Sequence, residues 1–144
     1  MKKIAILIAI VFLLYGYLQN NPNFIPSFAE QSTTNDQTLA SAFENHKSNI
    51  QVGGFGVVVR KLADDTNGSR HQKFILKLSS GQTLLISHNI DLAPRINSLS
   101  KGDTISFYGE YEWNSKGGVV HWTHHDPRGN HVGGWLKHNG ATYQ

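Results

Sequence analysis

The chain contains no cysteine. No disulfide can staple it and no thiolate can hold a metal, so its stability must come from a compact core alone. It also shows no internal repeat and no strong excess of one charge: 13 basic side chains stand against 10 acidic ones in 144 residues, a formal net charge of +3. That length is about one domain's worth and too short for two conventional domains. The basic balance points only weakly to a polyanionic partner, because part of it resides in Lys2 and Lys3. From Glu30 onward 11 basic residues face 10 acidic ones, and from Ile50 onward 10 face 7.

Long apolar runs are scarce too, with one exception. Met1-Lys2-Lys3 precedes IAILIAIVFLLYGYL, fifteen uncharged residues from Ile4 to Leu18. A basic start and an apolar stretch of this length match a secretory signal peptide, whereas a helix crossing the hydrocarbon needs about 17 to 25 residues. Ser27-Phe28-Ala29 is the small-x-small pair in range, and cleavage there would leave a chain starting at Glu30. Without cleavage the segment remains as a membrane anchor, its lysines inside. Both readings export the domain, to the periplasm or as a secreted protein; a buried N-terminal helix is the alternative. Gln19 to Asn35, rich in Asn, Pro, Ser, Thr and Gln, reads as a tether. The predicted organisation is a signal peptide or anchor with linker at 1–29, linker and short helix at 30–49, and a barrel with a glycine-rich C-terminal extension at 50–144.

Thr38 to Lys47 places Leu39, Ala42, Phe43 and His46 at helical spacing, which predicts a short helix covering one open end of the domain, with Phe43 as its plug. The rest alternates short apolar runs with turn residues. Strands are predicted at Gln51–Lys61, His71–Leu78, Gln82–His88, Thr104–Glu112 and Gly117–Thr123. Asp91 is read as the cap of a short helix from Leu92 to Leu99, with Pro94 in its first turn and Gly102 as its stop. Three strands, a short helix and two strands is the order of an all-β, five-stranded OB-like barrel; an open β-roll or SH3-like barrel is the alternative. Phe74, Leu76, Leu78 and Phe107 are predicted in the core, Tyr108 outside. The tail from His131 is read as an ordered loop pinned by Trp135 and Leu136.

Four stretches carry a family resemblance: DDTNGSRHQKFIL (Asp64–Leu76), ISHNIDLAPRI (Ile86–Ile96), KGDTISFYGEYEWN (Lys101–Asn114) and GGVVHWTHHDPRGNHVGGWLKHNGATYQ (Gly117–Gln144). In these motifs the chain resembles the bacterial domain-of-unknown-function family 3465, from Val52 to its end. The resemblance implies a small barrel-like domain, often behind a leader. It implies no established activity and brings no catalytic residue with it.

The chemistry must therefore be read from the residues. Seven of eight histidines lie between 71 and 138, five of them in the last 24 residues. His121, His124, His125, Asp126 and His131 supply imidazole and carboxylate donors suited to zinc and other divalent metals, although their spacing matches no finger or helical zinc motif. Hydrogen bonding at a barrel rim is the structural alternative. His71, His88 and His121 are the candidate general bases for phosphodiester hydrolysis. Arg70 and Arg128 are candidate anion contacts, and His124 a further ligand contact. Trp113 is a candidate stacking face, since aromatic barrel surfaces bind bases and sugars.

Two function classes emerge, beside a purely structural role in the envelope. The main expectation is an exported barrel that binds a ligand or a protein partner, the ligand being nucleic acid or envelope glycan, with the membrane engaged only through the N-terminal segment. The alternative is a metal-assisted, nuclease-like phosphodiester hydrolase using the histidines and a divalent metal such as zinc.

Overall fold

The computed structural model describes residues 2–20 and 35–144; the predicted cleavage motif Ser27-Phe28-Ala29 and most of the predicted tether lie outside them. The chain divides after Thr34 into two units. In the first, α1 (Lys2–Asn20) takes up the apolar segment as one helix. Among the described residues no helix is long and apolar enough to cross a membrane.

The second unit opens with α2 (residues 35–44), where Leu39, Ala42 and Phe43 of the predicted helix lie. Leu39 and Ala42 are the residues it buries in the core, so Leu39 rather than Phe43 is its plug. His46, with φ 51°, takes the left-handed conformation that ends the helix. Asp36 receives hydrogen bonds from the Ser79 hydroxyl and the Ser80 amide, which fasten the helix to the turn after the second strand.

Seven strands follow: β1 (Ile50–Lys61), β2 (His71–Lys77), β3 (Thr83–Asn89), β4 (Thr104–Glu112), β5 (Val119–His121), β6 (Trp135–His138) and β7 (Ala141–Tyr143). The sheet order is β1-β2-β3-β5-β4-β6-β7, and a further β1–β4 pairing closes the first five strands into a barrel. The β3–β5 pair is parallel, Leu85 opposite Val119. This is the expected all-β, five-stranded OB-like barrel, with two strands added by the tail. β1 serves both seams, pairing with β4 over 50–57 and with β2 over 57–61. Its glycines permit the coil: a Cβ on Gly56 would lie 2.9 Å from the Lys77 carbonyl oxygen.

Strict alternation fills the barrel. Phe74 and Leu76, Leu84 and Ile86, and Ile105, Phe107 and Tyr111 point inward from β2, β3 and β4. Gly118 presses its backbone onto the Tyr111 ring, where a Cβ would come within 2.1 Å of a ring carbon. The Tyr111 hydroxyl donates to the Gly117 carbonyl at 3.0 Å.

Two expectations are corrected. No helix lies between β3 and β4; residues 90–99 form two short turns, at 90–92 and 97–98, joined by irregular chain. Asn89, not Asp91, caps the turn at 90–92, accepting the Asp91 and Leu92 amides, and Asp91 is taken by the Arg70 amide and guanidinium. Helix growth ends because side chains claim the backbone: the Gln72 amide bonds both the N–H and C=O of Ile96, and His88 takes the Pro94 carbonyl. The tail is likewise not a loop throughout. Its β6–β7 hairpin adds to β4 with Leu136 fully buried and Trp135 half-buried.

Candidate metal centre

The site lies on the outer face of the β1–β4–β5 seam. Inward placement of Phe107 and Tyr111 turns Tyr108, Glu110 and Glu112 outward, all half-buried. Register sets Gln51 of β1 and His121 of β5 opposite Glu110 on its two sides. His121 Nε2 lies 3.5 Å from Glu110 Oε1 and 3.6 Å from Glu112 Oε1. One ligand atom from each of these three residues falls within 4.8 Å of the others. Divalent metals bound at about 2.0–2.1 Å hold neighbouring donors about 3.0 Å apart in an octahedron and about 3.3–3.4 Å apart in a tetrahedron, near these separations. The three residues can therefore coordinate a divalent cation. His121 Nε2 is shielded from water and has no hydrogen-bond partner among the described residues.

A second histidine reaches the same carboxylate. His131 Nε2 lies 2.6 Å from Glu110 Oε2, and its Nδ1 lies 2.8 Å from the Val132 carbonyl. Burial opposes the charge on His131, yet the bond to Glu110, the Val132 carbonyl and the Glu110 and Asp126 charges together raise its pKa. Burial also pushes Glu110 up, but hydrogen bonding to His131 and Glu112 and the His131 and His121 charges leave it below its ordinary value.

His131 is delivered by the excursion from 122 to 134 between β5 and β6. The excursion leaves and returns at one point on β4: a Cβ on Gly109 would sit 2.4 Å from the His121 carbonyl, and one on Gly134 2.1 Å from that of Trp122. Asp126 ties the loop by accepting the amides of Arg128, Asn130 and His131, and these bonds, led by that to Arg128, lower its pKa. Trp122 has φ 54°, a backbone that bulky residues seldom adopt. Its ring stacks on His131 at 3.9 Å and 10°, favourable for a protonated imidazole over an aromatic face. Leu92, Trp122, Pro127, Arg128, Asn130 and His131 line an open groove of about 670 Å³. Among the described residues no ion pair engages the Arg128 guanidinium.

The sequence candidates fall in several places. His121 and His131 meet at Glu110 from different sides. His124 is buried and lies 2.7 Å from the His125 carbonyl through Nδ1, with Trp122 beside it at 5.3 Å. His125 is exposed, and Asp126 spends its carboxylate on backbone amides. His71 contacts the Ser69 carbonyl, and Arg70 pairs with Asp91. His88 is fully buried between the Thr123 hydroxyl and the Pro94 carbonyl. Desolvation lowers its pKa to about 4, so it is neutral. Trp113 donates to the Phe43 carbonyl and packs on His46 at 4.1 Å, which makes it a clasp for α2. Sequence reasoning missed Glu110 and Glu112 as candidate ligands. Their signal was their common outward parity in TISFYGEYE, on the strand preceding VVH.

Residues 23–144 match the model of a family described as protein of unknown function (DUF3465). No curated protein matches the chain.

Proposed function

The chain belongs to that family, and from the chemistry of the site we propose that it is a divalent-metal-dependent hydrolase of phosphodiesters. One observation carries the reading: two carboxylates converge on one point with an imidazole nitrogen that is shielded from water and makes no hydrogen bond among the described residues. Such a nitrogen needs a proton or a metal ion between it and the carboxylates. Bound there, a divalent cation supplies Lewis-acid help at a phosphoryl oxygen and a water of lowered pKa.

The chain's own groups supply the rest. Glu110, Glu112 and His121 hold the cation. His131, charged by its carboxylate and carbonyl neighbours, places an N–H cation between the cluster and the groove. Arg128, on the groove wall, offers a planar donor fork for a phosphate. Asp126 holds the loop that carries both. The apolar leader supports export as the location in which this chemistry runs.

The test is metal analysis and calorimetric titration of the full chain with manganese, zinc and calcium, followed by assay on DNA, RNA and a simple aryl phosphodiester. Binding of one ion, lost in Glu110→Gln and His121→Ala, together with metal-dependent product release, supports the reading. A protein that takes up no ion and releases nothing overturns it. The open groove with Trp122 and Arg128 favours, as second reading, a module that retains its ligand without turnover; ion binding and nucleic-acid or glycan retention with no product would select it.

A further inference from the structure

Gln51 Nε2 is the other side-chain atom that, with His121 Nε2, stands shielded from water and without a hydrogen-bond partner among the described residues. The two residues flank Glu110: Gln51 opposite it on β1, His121 opposite it on β5. Cross-strand partners on one face hold their Cβ atoms about 4.5–5.5 Å apart. The one row Gln51–Glu110–His121 thus contains both orphaned atoms, separated by a carboxylate.

A buried amide nitrogen with no acceptor carries the desolvation penalty of a donor left unmade. The two ends of a glutamine amide are nearly isosteric, and its orientation follows from its partners. Turning the amide by a half-rotation exchanges Nε2 for Oε1 at the shielded position. An amide oxygen there would be satisfied by a cation, as would His121 Nε2.

We infer that Gln51 is a fourth ligand of the metal centre, through its side-chain oxygen, and that the centre is matched to manganese-like cations. The inference rests on the metal-centre reading of Glu110, Glu112 and His121 and names the donor that reading lacks. With Gln51 the donor set is three oxygens and one imidazole nitrogen. Carboxylate and carbonyl oxygens suit hard divalent ions such as manganese, whereas zinc centres are dominated by nitrogen and sulfur. Charge agrees: the two carboxylates of Glu110 and Glu112 balance a divalent ion, and a neutral amide adds a ligand without excess charge.

The experiment is calorimetric titration of the full chain with manganese and with zinc, in the wild type, Gln51→Leu and Gln51→Glu, each checked for folding by circular dichroism. Gln51→Leu keeps the bulk and removes the donor, and should weaken manganese binding about ten- to a hundredfold with a smaller loss for zinc. Gln51→Glu returns an oxygen to the position and should retain manganese binding. Wild-type affinity in Gln51→Leu overturns the inference and leaves the metal centre standing. Loss of binding in a folded Gln51→Glu also overturns it, because an amide N–H supporting Glu110 would tolerate no carboxylate there. A wild type that binds neither ion removes the metal centre itself. Should Gln51→Leu fail to fold, Gln51→Glu decides.

Discussion

Glu110 holds His131 as a cation: Oε2 lies 2.6 Å from Nε2, while the Val132 carbonyl takes Nδ1 at 2.8 Å, so both ring nitrogens donate. The pair spans 21 residues of chain and ties the excursion after β5 to the barrel wall. Its pH dependence follows from the two shifts. His131 is raised, so its contribution is complete below the ordinary value of 6.5 and fades as pH rises through the folded value. Glu110 is lowered, so its contribution is complete above 4.5 and fades as pH falls through the folded value. The pair therefore stabilises most between pH 4.5 and 6.5.

Metal-free His131→Gln should be less stable than wild type by about 1 kcal/mol in that window, the gap narrowing in alkaline buffer. Thermal melts of both proteins from acid to alkaline pH test this. A gap that widens above neutrality would contradict a charged His131.

Gly134 is where the excursion returns to β4. A Cβ there would lie 2.1 Å from the Trp122 carbonyl oxygen and 2.3 Å from that of Tyr108, two backbone atoms that cannot swing aside. Gly134→Ala should cost about 2–3 kcal/mol and lower metal affinity by displacing His131 from Glu110. Denaturant melts and a manganese titration read the two effects separately. An unaffected melting midpoint would show that the loop yields freely.

Trp113 presents its indole N–H to the Phe43 carbonyl at 3.0 Å and its ring to His46. Trp113→Ala should cost about 2 kcal/mol, and amide hydrogen exchange should quicken first in α2. Binding to nucleic-acid and glycan arrays should be unchanged where the protein remains folded. A selective loss of binding with intact stability would instead make Trp113 a ligand platform.

These residues separate the legible from the illegible. Period-two alternation in HQKFIL and TISFYGEYE marks the barrel strands and assigns Phe74, Leu76 and Phe107 to the core, because an inward or outward direction is a local property of a strand. The helix expected at Leu92–Leu99 does not form because its backbone groups are claimed by Gln72 and His88, partners 24 and 6 residues away. Alternation also fails at Trp122: its left-handed backbone lets consecutive Thr123 and His124 both turn inward. Glu110 and Glu112 can be set on the outer face from sequence, but His121 joins them through the β4–β5 register, which strand pattern alone does not specify. The histidine density of the tail is shared among a cluster member (His121), a Glu110 partner (His131), two buried residues (His124 and His138) and one exposed residue (His125).

His88 offers the sharpest pH test away from the metal centre. It is fully buried, Nδ1 lies 2.8 Å from the Thr123 hydroxyl and Nε2 3.0 Å from the Pro94 carbonyl. A carbonyl can only accept, so Nε2 carries the proton and Nδ1 receives the hydroxyl hydrogen. Desolvation leads the causes that lower the pKa to about 4, with His124 and His71 adding repulsion against the two hydrogen bonds. A lowered histidine works against the folded state in acid: the unfolded chain gains its proton near 6.5 and the folded chain only near 4. Stability should therefore fall by about 3 kcal/mol in total as pH drops across that interval. His88→Gln should be less stable at neutral pH, where it loses the Pro94–Thr123 bridge, yet should lose less between neutral and acid than wild type does. Nitrogen NMR should show the Nε2–H tautomer down to about pH 5. An imidazolium signal already present at neutral pH would overturn the assignment, since it would remove the desolvation argument on which the acid lability stands.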